Sequence, residues 1–217
     1  MCGIFSYIKK VENSNDSINL KQSLQEANYS QHRGPDNTKD LFTTYNAYQL
    51  YFVFHRLAIN GLDEASNQPF VYDKLILLCN GEIYNYKQLA SIYNIQLNTH
   101  SDCEIILHLY KKYGIQCINW LDGVFTFVLF DEINGLIYVG HDPIGIRSGF
   151  MIQNKNEFII SSEMKSLSNY EGTIEMIEPG CYIEYNLNND KYYINKYYSL
   201  EFPINYVTDD ESISIIR

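Results

Sequence analysis

The sequence predicts an α+β protein in which two antiparallel sheets pack together between layers of helices. Segments with strand-like patterns follow one another in hairpins, and helical segments are inserted between groups of strands. The clearest hairpin is GVFTFVLFDEINGLIYVGHD, residues 123–142, which alternates in polarity and turns at Asn134-Gly135. Because strands and helices do not alternate one by one, this order favours antiparallel sheets with outer helices over a parallel βαβ fold.

The N-terminal half contains elements whose ends are marked by capping and turn residues. Strands are predicted at residues 3–9, 48–59 and 75–85, and helices at residues 18–31 and 84–93. Ser17 is the expected N-cap of the first helix, and Gly34-Pro35 stops it. The third strand ends at Asn80-Gly81, a pair that is common in turns.

The C-terminal half begins with the clearest helix of the chain, SDCEIILHLYKKYG, residues 101–114. Ser101 or Asp102 is expected to cap its first turn, and Gly114 to close it. Further short strands are predicted at residues 148–153, 157–161, 181–186 and 191–198, with a helical turn at 161–167. No internal repeat or low-complexity linker interrupts this order.

Composition restricts the class of protein. The 217 residues are 46% hydrophobic and carry a formal net charge of −10, which argues against nucleic acid or an anionic membrane as a partner. No apolar run approaches the ~18 residues of a membrane helix, and the start lacks the pattern of a secretory signal. The five cysteines are odd in number and scattered, so a reduced, cytoplasmic setting is expected.

Cys2 raises the question of a terminal nucleophile. A cysteine nucleophile needs a base, and none of the five histidines lies in a recognisable cysteine-protease signature. If Met1 were removed, the α-amine of Cys2, with an ordinary pKa of about 7.7–8.0, could serve as that base. By position alone, Cys2 could equally be an unremarkable residue at a chain terminus.

Three further polar groups lie at the ends of predicted elements. Arg56, at the end of an aromatic strand, requires an anion, which could be an internal carboxylate or a ligand carboxylate. The amide of Asn80 beside the backbone N–H of Gly81 could form an oxyanion hole, although Asn-Gly also makes ordinary turns. Asp102 is either a helix cap or a binding group. No metal site is expected, because the acidic residues near Asp102 have no further ligands at useful positions.

The ordered set MCGI, HRGPD, HRLAI, NGEIYN, SDCE, LDGVFTFVLFD and SSEMKSL resembles the glutamine amidotransferase type 2 domain of glutamine-hydrolysing asparagine synthetase. The resemblance covers nearly the whole chain. It implies the four-layer αββα sandwich of the N-terminal nucleophile hydrolases, in agreement with the layered antiparallel arrangement predicted above. It also implies hydrolysis of glutamine to glutamate and ammonia through a thioester on Cys2.

The resemblance implies roles for individual residues. Cys2 is the nucleophile, and the Asn80 side chain and Gly81 N–H stabilise the oxyanion. Arg56 holds the α-carboxylate of glutamine, while Glu82 and Asp102 hold its α-ammonium group. Backbone groups of Leu57, Ala58, Ile59 and Asn60 line the same pocket.

The chain departs from the family pattern at a few positions. His141 stands where the family usually has Arg, and Ser148-Gly149 where it has Pro-Leu. Ser66 replaces a frequent Gly. None of these positions belongs to the implied site, so they bear on loop packing and on the contact to a following domain.

The resemblance also defines the expected domains and partners. Residues 1–205 form the amidotransferase domain, and residues 206–217 begin a linker or helix towards an ATP-dependent synthetase domain. No SGGxDS-type ATP loop occurs in the chain, so that domain, with its ATP and magnesium, would lie in cis or in trans; no cofactor is expected here. There, ammonia would amidate aspartate to asparagine. A homodimer is a further expectation.

Two alternatives remain open at the level of sequence. The chain could be a catalytically silent binding or regulatory module that keeps the fold. It could also be an amidotransferase that delivers ammonia to an acceptor other than aspartate.

Overall fold

The computed structural model describes residues 1–13 and 16–200, which form two six-stranded antiparallel sheets and three α-helices. The strands are β1 (Gly3–Lys10), β2 (Asn37–Tyr45), β3 (Tyr48–Arg56), β4 (Phe70–Tyr72), β5 (Leu75–Ile83), β6 (Gly123–Asp131), β7 (Leu136–His141), β8 (Phe150–Gln153), β9 (Glu157–Ser161), β10 (Glu175–Met176), β11 (Cys181–Asn186) and β12 (Lys191–Lys196). The helices are α1 (Leu20–Ala27), α2 (Tyr86–Ile92) and α3 (Ile105–Tyr113).

The first sheet has the strand order β10-β8-β9-β1-β3-β2, and the second has the order β12-β11-β7-β6-β5-β4. In the first sheet, β1 lies between β3 and β9, with Gly3 opposite His55 and Phe5 opposite Ser161. In the second sheet, β5 pairs with β6 as far as Ile83 opposite Gly123, with Gly81 opposite Phe125. The turn predicted at Asn80-Gly81 is therefore wrong, because both residues lie within the strand. The beginning of β1 and the end of β5 are therefore both held within a hydrogen-bonded ladder.

The two sheets pack face to face through alternate residues of their strands. On β1, Ile4 and Ile8 enter the core between the sheets, whereas Phe5 and Tyr7 lie on the opposite face. The same alternation on β6 sends Val128 into the inter-sheet core. Period-two alternation with both faces buried is expected for strands that are covered by another sheet on one side and helices on the other.

Helical layers cover both outer faces. The outer face of the first sheet packs against α1 and the 3-10 turn Met164–Leu167, through residues such as Ala27 and Leu167. The outer face of the second sheet packs against α2, α3 and the 3-10 segment Gly114–Trp120. The layered α-β-β-α sandwich and its antiparallel sheets, predicted from sequence, are confirmed.

The first helix is shorter than predicted and is capped by a different residue. It begins after Asn19, whose side chain accepts a hydrogen bond from the Gln22 N–H at 3.2 Å. The predicted cap, Ser17, is wrong: its hydroxyl instead accepts a bond from the Gln49 side chain at 3.4 Å. The chain then tightens into a 3-10 segment, Asn28–Arg33, before Gly34.

The predicted capping of α3 by Ser101 or Asp102 is also wrong. Residues Asp102–Glu104 form a 3-10 turn, and neither Ser101 nor Glu104 caps the helix that follows through its side chain. The Asp102 carboxylate instead accepts a bond from the Ile83 N–H at 2.6 Å, on the neighbouring strand β5. Gly114 ends the helix as predicted, with a φ of 69° that favours glycine.

Three strands were not predicted: β2, β4 and β10. β2 is an edge strand of the first sheet. Its side chains are exposed or half-exposed, which agrees with its largely polar sequence NTKDLFTTY. β4 and β10 are short, and among residues 1–13 and 16–200 each of them pairs with a single strand. The linker or helix expected at residues 206–217 lies outside the described residues. Within those residues, no helix is long and apolar enough to cross a bilayer.

Glu104 fastens the loop before α3 to the protein. Its carboxylate accepts bonds from the backbone N–H groups of Asn98 (2.9 Å) and Thr99 (2.7 Å) and contacts His108 Nε2 at 2.9 Å. Burial opposes the charge, but these hydrogen bonds outweigh it and lower the pKa of Glu104 to about 2. The ionised carboxylate therefore stabilises the folded state.

We expect Glu104→Gln to lower the free energy of unfolding by about 2 kcal/mol near neutral pH, because an amide cannot accept at all these donors. The depressed pKa means that the wild-type advantage is fully present above the unfolded-state pKa of about 4.3 and is lost as pH falls towards about 2. Urea unfolding of both proteins, near neutral pH and at acid pH, measures the difference in their free energies of unfolding. Glu132→Gln, at an exposed ion pair with Lys74, is the matched control and should change little. A constant difference across pH would contradict this role of Glu104.

Candidate active site

A small cavity lies where the start of β1 approaches the end of β5. Its volume is about 40 Å³, room for a few water-sized groups. All the sequence-predicted site residues except Ala58 line it: Cys2, Arg56, Leu57, Ile59, Asn60, Asn80, Gly81, Glu82 and Asp102. The fold thus brings together residues from four separate stretches of the sequence, around residues 2, 56–60, 80–82 and 102.

The thiol of Cys2 lies against the backbone of Leu57. The Leu57 N–H donates to Cys2 Sγ at 3.3 Å, and the thiol contacts the Leu57 carbonyl at 3.5 Å. Burial raises the pKa of Cys2, opposed by the Leu57 N–H, the positive chain terminus and Arg56. With Met1 attached, Cys2 is therefore a protonated thiol, and ionisation needs a nearby base.

The backbone of Cys2 is held by residues from the HRGPD motif. Arg33 Nε donates to the Cys2 carbonyl at 2.9 Å, and the guanidinium is in turn paired with Glu163 at 3.2 Å. Arg33 was not among the site residues predicted from sequence, although its motif HRGPD carries part of the resemblance. At Gly3 a Cβ would approach two oxygen atoms of Ser30 to 3.1 Å, so glycine lets the terminus lie close to the 3-10 segment Asn28–Arg33.

Asn80 presents an unpaired amide to the cavity. Its side chain is 1% exposed, and within the described residues its Nδ2 has no hydrogen-bond partner. A buried N–H group without an acceptor costs free energy, so such a group is typical of a site that receives an acceptor from a ligand. The next residue must be glycine, because a Cβ at Gly81 would lie 2.5 Å from the Val124 carbonyl.

Arg56 is buried beside the cavity and holds the loop that follows it. Its Nη1 donates to the Asp63 carbonyl at 3.0 Å and to Asn67 Oδ1 at 2.6 Å. Its Nη2 donates to the carbonyls of Asn60 and Gly61. In this conformation the guanidinium organises the loop at residues 57–63, and a substrate carboxylate would have to share these donors.

Two carboxylates lie on the other side of the cavity. Asp102 is 4% exposed and accepts bonds from Ile83 N (2.6 Å) and Asn60 Nδ2 (3.3 Å). Burial and the nearby charge of Glu82 raise the pKa of Asp102, opposed by these hydrogen bonds. Glu82 is paired with Arg147 at 2.9 Å. A cationic group placed between the two carboxylates would relieve their mutual repulsion.

Arg147 is a lining residue that sequence reasoning missed. The loop that carries it wraps around the buried carboxylate of Asp142, which accepts bonds from the N–H groups of Gly145 (2.7 Å) and Arg147 (3.2 Å), among others. The one signal in the sequence was Asp142 followed by Gly145, an Asp-turn pattern with a glycine at φ 77°. The pattern predicts a turn but not which side chain the turn directs to the cavity.

The departures from the family pattern fit the packing of this region. The Ser148 hydroxyl donates to the Ser162 carbonyl at 2.9 Å. At Gly149 a Cβ would lie 2.9 Å from Thr126 Cγ2, so a larger residue would have to displace its neighbours. The expectation that these departures lie outside the site is wrong for Ser66, which lines the cavity and whose hydroxyl donates to the Asp63 carboxylate at 2.7 Å.

Ala58 does not line the cavity. Its N–H donates to the Asp36 carboxylate at 2.8 Å, which ties the loop after β3 to the HRGPD motif. The further lining residues that were not predicted are Met1, Phe54, Gln68, Cys79, Ser101 and Cys103.

Gln68 holds the strand in place directly before Asn80. Its amide nitrogen donates to the Cys79 carbonyl at 3.1 Å, and its amide oxygen accepts from the Cys79 N–H at 2.6 Å.

Comparison with known sequences identifies relatives over most of the chain. The sequence profile of a family described as "Glutamine amidotransferase domain" matches residues 1–198. Asparagine synthetase [glutamine-hydrolyzing] 1 of Arabidopsis thaliana is 35% identical over 200 residues, covering 90% of this chain and 33% of the relative. Asparagine synthetase [glutamine-hydrolyzing] of Bos taurus is 37% identical over 195 residues, covering 84% and 33%. The chain thus spans about a third of the length of these relatives.

Solved structures share the fold. A protein described as the allosteric regulatory enzyme of purine biosynthesis superposes with a TM-score of 0.72 at 18% identity, over 90% of this chain and 49% of the other. Glutamine phosphoribosylpyrophosphate amidotransferase of Bacillus subtilis gives 0.68 at 19% identity, over 90% and 49%. These likenesses support the fold, and the sequence comparisons establish the family: this chain belongs to the glutamine amidotransferase domain family, with asparagine synthetases among its relatives.

Proposed function

We propose that this domain hydrolyses glutamine to glutamate and ammonia, with Cys2 as nucleophile and Asn80 in the oxyanion hole. The observation that carries the proposal is the buried, unpartnered amide of Asn80 in the same cavity as the Cys2 thiol. A tetrahedral intermediate formed on Cys2 would carry a negative oxygen, and the Asn80 N–H is a preorganised donor for it. The Gly81 N–H is the second donor in this proposal.

The charges around the cavity suit the zwitterionic end of glutamine. Arg56 would receive the α-carboxylate, and Asp102 with Glu82 would receive the α-ammonium group. The Asn60 amide, which already bonds Asp102, lies between the two kinds of charge. Binding through both charges fixes the carboxamide at the thiol, and this proximity supplies part of the rate.

The proposed general base is the α-amine of Cys2, which exists only after Met1 has been removed. While Met1 is attached, the Cys2 nitrogen is an amide and cannot take a proton. Met1 also lines the cavity, so its removal would free an α-amine and enlarge the space available to substrate. The amine would then accept the thiol proton as Sγ attacks the carboxamide carbon, and would donate it to the departing ammonia. Water would hydrolyse the resulting thioester to glutamate.

The ammonia acceptor is inferred from the relatives. Ammonia released into water would be protonated and lost, so we propose that an ATP-dependent domain, in cis or in trans, receives it. The relatives named asparagine synthetase are about three times as long as the matched region, which leaves room for such a domain in them. We propose aspartate as the acceptor; co-purification of the chain with an aspartate-independent ATP-using partner would contradict that choice.

Cys2→Ala should abolish glutamate release, because it removes the only thiol proposed to form a thioester. Activity is measured as glutamate produced by the purified chain, with intact mass recorded to show that Met1 is absent. Cys181→Ala, which changes a buried thiol outside the cavity, is the matched control and should retain activity. Equal rates of glutamate release by Cys2→Ala and by the wild type would contradict the proposal.

Asn80→Ala should lower kcat about 100- to 1,000-fold with little change in KM, because the oxyanion exists only in the transition state and the intermediates. Steady-state glutaminase kinetics measure this. Asn119→Ala, at an exposed amide far from the cavity in the 3-10 segment after α3, should leave both constants unchanged. A rise in KM alone would place Asn80 in ground-state binding instead.

Asp102→Asn should raise the KM for glutamine about tenfold or more, because it removes a charged partner of the α-ammonium group. In the wild type, affinity should fall as the pH is lowered, at higher pH than for an ordinary aspartate, since the pKa of Asp102 is raised by burial. The variant should lose this acid limb. Asp73→Asn, at an exposed ion pair with Lys111, is the control. An unchanged acid limb in Asp102→Asn would exclude the assignment.

A further inference from the structure

His141 is a buried residue at the end of β7 whose ring contacts two backbone carbonyls. Nδ1 lies 2.8 Å from the Ile177 oxygen, and Nε2 lies 2.7 Å from the Arg147 oxygen. The side chain is 1% exposed, so water does not offer an alternative partner for either nitrogen. Carbonyl oxygens only accept hydrogen bonds, whereas a neutral imidazole has one N–H and one lone pair. Both contacts are satisfied at once only if both ring nitrogens carry a proton.

We propose that His141 is a positioning residue for the substrate cavity, acting as an imidazolium that holds the loop bearing Arg147. The proposal rests on the proposed glutamine site, because the position of Arg147 matters to substrate through Glu82. Arg147 donates to Glu82 at 2.9 Å, and Glu82 is one of the two carboxylates assigned to the α-ammonium group. His141 itself does not line the cavity, so it would act only through Arg147.

The connection from the ring to Glu82 is short. The Arg147 carbonyl accepts from His141 Nε2 and from the Thr126 hydroxyl at 2.6 Å, which fixes that peptide against β6 and β7. The Arg147 N–H is fixed separately by Asp142 at 3.2 Å. Loss of one ring proton would place a nitrogen lone pair against a carbonyl oxygen at hydrogen-bond distance, and the repulsion would shift one of the two segments. Segment 142–148 would then no longer set the Arg147 guanidinium against Glu82.

Several charged or titratable groups lie on the elements around the ring. They are Asp142 and Arg147 in the loop, Glu178 next to Ile177, Cys181 on β11, and Tyr197, whose hydroxyl donates to the His141 carbonyl at 2.7 Å. β6 contributes Thr126, which does not titrate in the accessible pH range. The two carbonyl contacts are the feature that distinguishes the cationic state.

His55 is a matched comparison within the same protein. Its ring is also fully buried, but its partners are the Ala27 carbonyl at Nε2 (3.0 Å) and the Thr38 hydroxyl at Nδ1 (2.8 Å). A hydroxyl can donate, so a neutral ring with its proton on Nε2 satisfies both contacts. Burial lowers the pKa of His55, in agreement with a neutral ring. The two histidines are therefore almost equally buried, but His141 is expected to be cationic and His55 neutral.

The protonation of His141 is tested directly by nitrogen-15 NMR of the histidine rings in the full chain. At about pH 7 both ring nitrogens of His141 should be protonated, whereas His55 should carry one proton. The His141 signals are assigned by their loss in His141→Gln, and those of His55 by their proximity to Thr38. A His141 ring with a single proton at about pH 7 would overturn the proposal without reference to any activity.

The positioning role is tested by glutamine binding to Cys2→Ala, which stops turnover, measured by calorimetry from about pH 6 to about pH 9. Affinity should fall about tenfold as the ring loses a proton. Cys2→Ala combined with His141→Arg is the comparison, since a guanidinium can donate to two carbonyls at every pH in that range. Both proteins have the same α-amine, so its titration cancels when they are compared.

The outcomes separate the two proposals. A fall in affinity that is present with His141 and absent in His141→Arg supports the positioning role. The same fall in both proteins overturns that role and leaves the glutamine site intact. If neither protein binds glutamine at any pH, the proposed function is wrong. The positioning role of His141 towards substrate is then wrong as well, whatever the NMR experiment shows. If His141→Arg does not fold, as judged by thermal unfolding, coincidence in the wild type between the pH of ring deprotonation and the pH of the affinity change decides the question.

Discussion

The site depends on the anchoring of β1 at the centre of its sheet. A residue at the second position of a chain, as the proposed nucleophile Cys2 is, would ordinarily be poorly ordered, because termini lose few contacts when they fray. Here Gly3 begins a ladder with β3, the Ile4 N–H bonds the Ser162 hydroxyl at 3.0 Å, and Arg33 holds the Cys2 carbonyl. The alternating apolar residues of β1 bury both faces of the strand. The order of Cys2 is therefore a consequence of sheet packing that begins one residue later.

The same packing explains why an unpaired amide can persist at Asn80. The free-energy cost of one buried N–H without an acceptor is about 1–3 kcal/mol, which a protein tolerates only where the surrounding structure prevents relaxation. Asn80 lies on β5, with β6 on one side and the Gln68 amide clamped to the preceding residue. Neither the strand nor the side chain can move to find another partner. The donor is thereby fixed before any oxyanion forms, which is the condition for effective electrostatic stabilisation.

The parts of the site that could be predicted from sequence are those whose position follows from the ends of strands. Asn80 and Gly81 follow a buried apolar run, and Arg56 closes another, so pattern reasoning could identify these residues as candidates. Their convergence in one site was predicted from the family resemblance alone. Asp102 was identified as a candidate, but its partner, the Ile83 N–H on another strand, was not. Arg147 was missed because its direction is set by the Asp142 carboxylate, through contacts that no periodicity encodes. β2 was missed for a related reason: an exposed edge strand has little apolar alternation to detect.

The distribution of charge is compatible with the proposal that a strongly acidic chain binds a substrate that carries a carboxylate. The protein has a formal net charge of −10, yet the cavity is bordered by two guanidinium groups, Arg56 and Arg147, and two carboxylates, Glu82 and Asp102. The net negative charge of the protein repels an anion at long range. Within the cavity the guanidinium groups attract a carboxylate at short range, where screening by water is weakest. Arg147 pairs with Glu82 at 2.9 Å, which lowers the cost of two neighbouring carboxylates and fixes the position of the Glu82 carboxylate. In the proposed site, an ammonium group would bind between carboxylates that are already held in place, which is why a residue outside the cavity that fixes Arg147 would influence affinity.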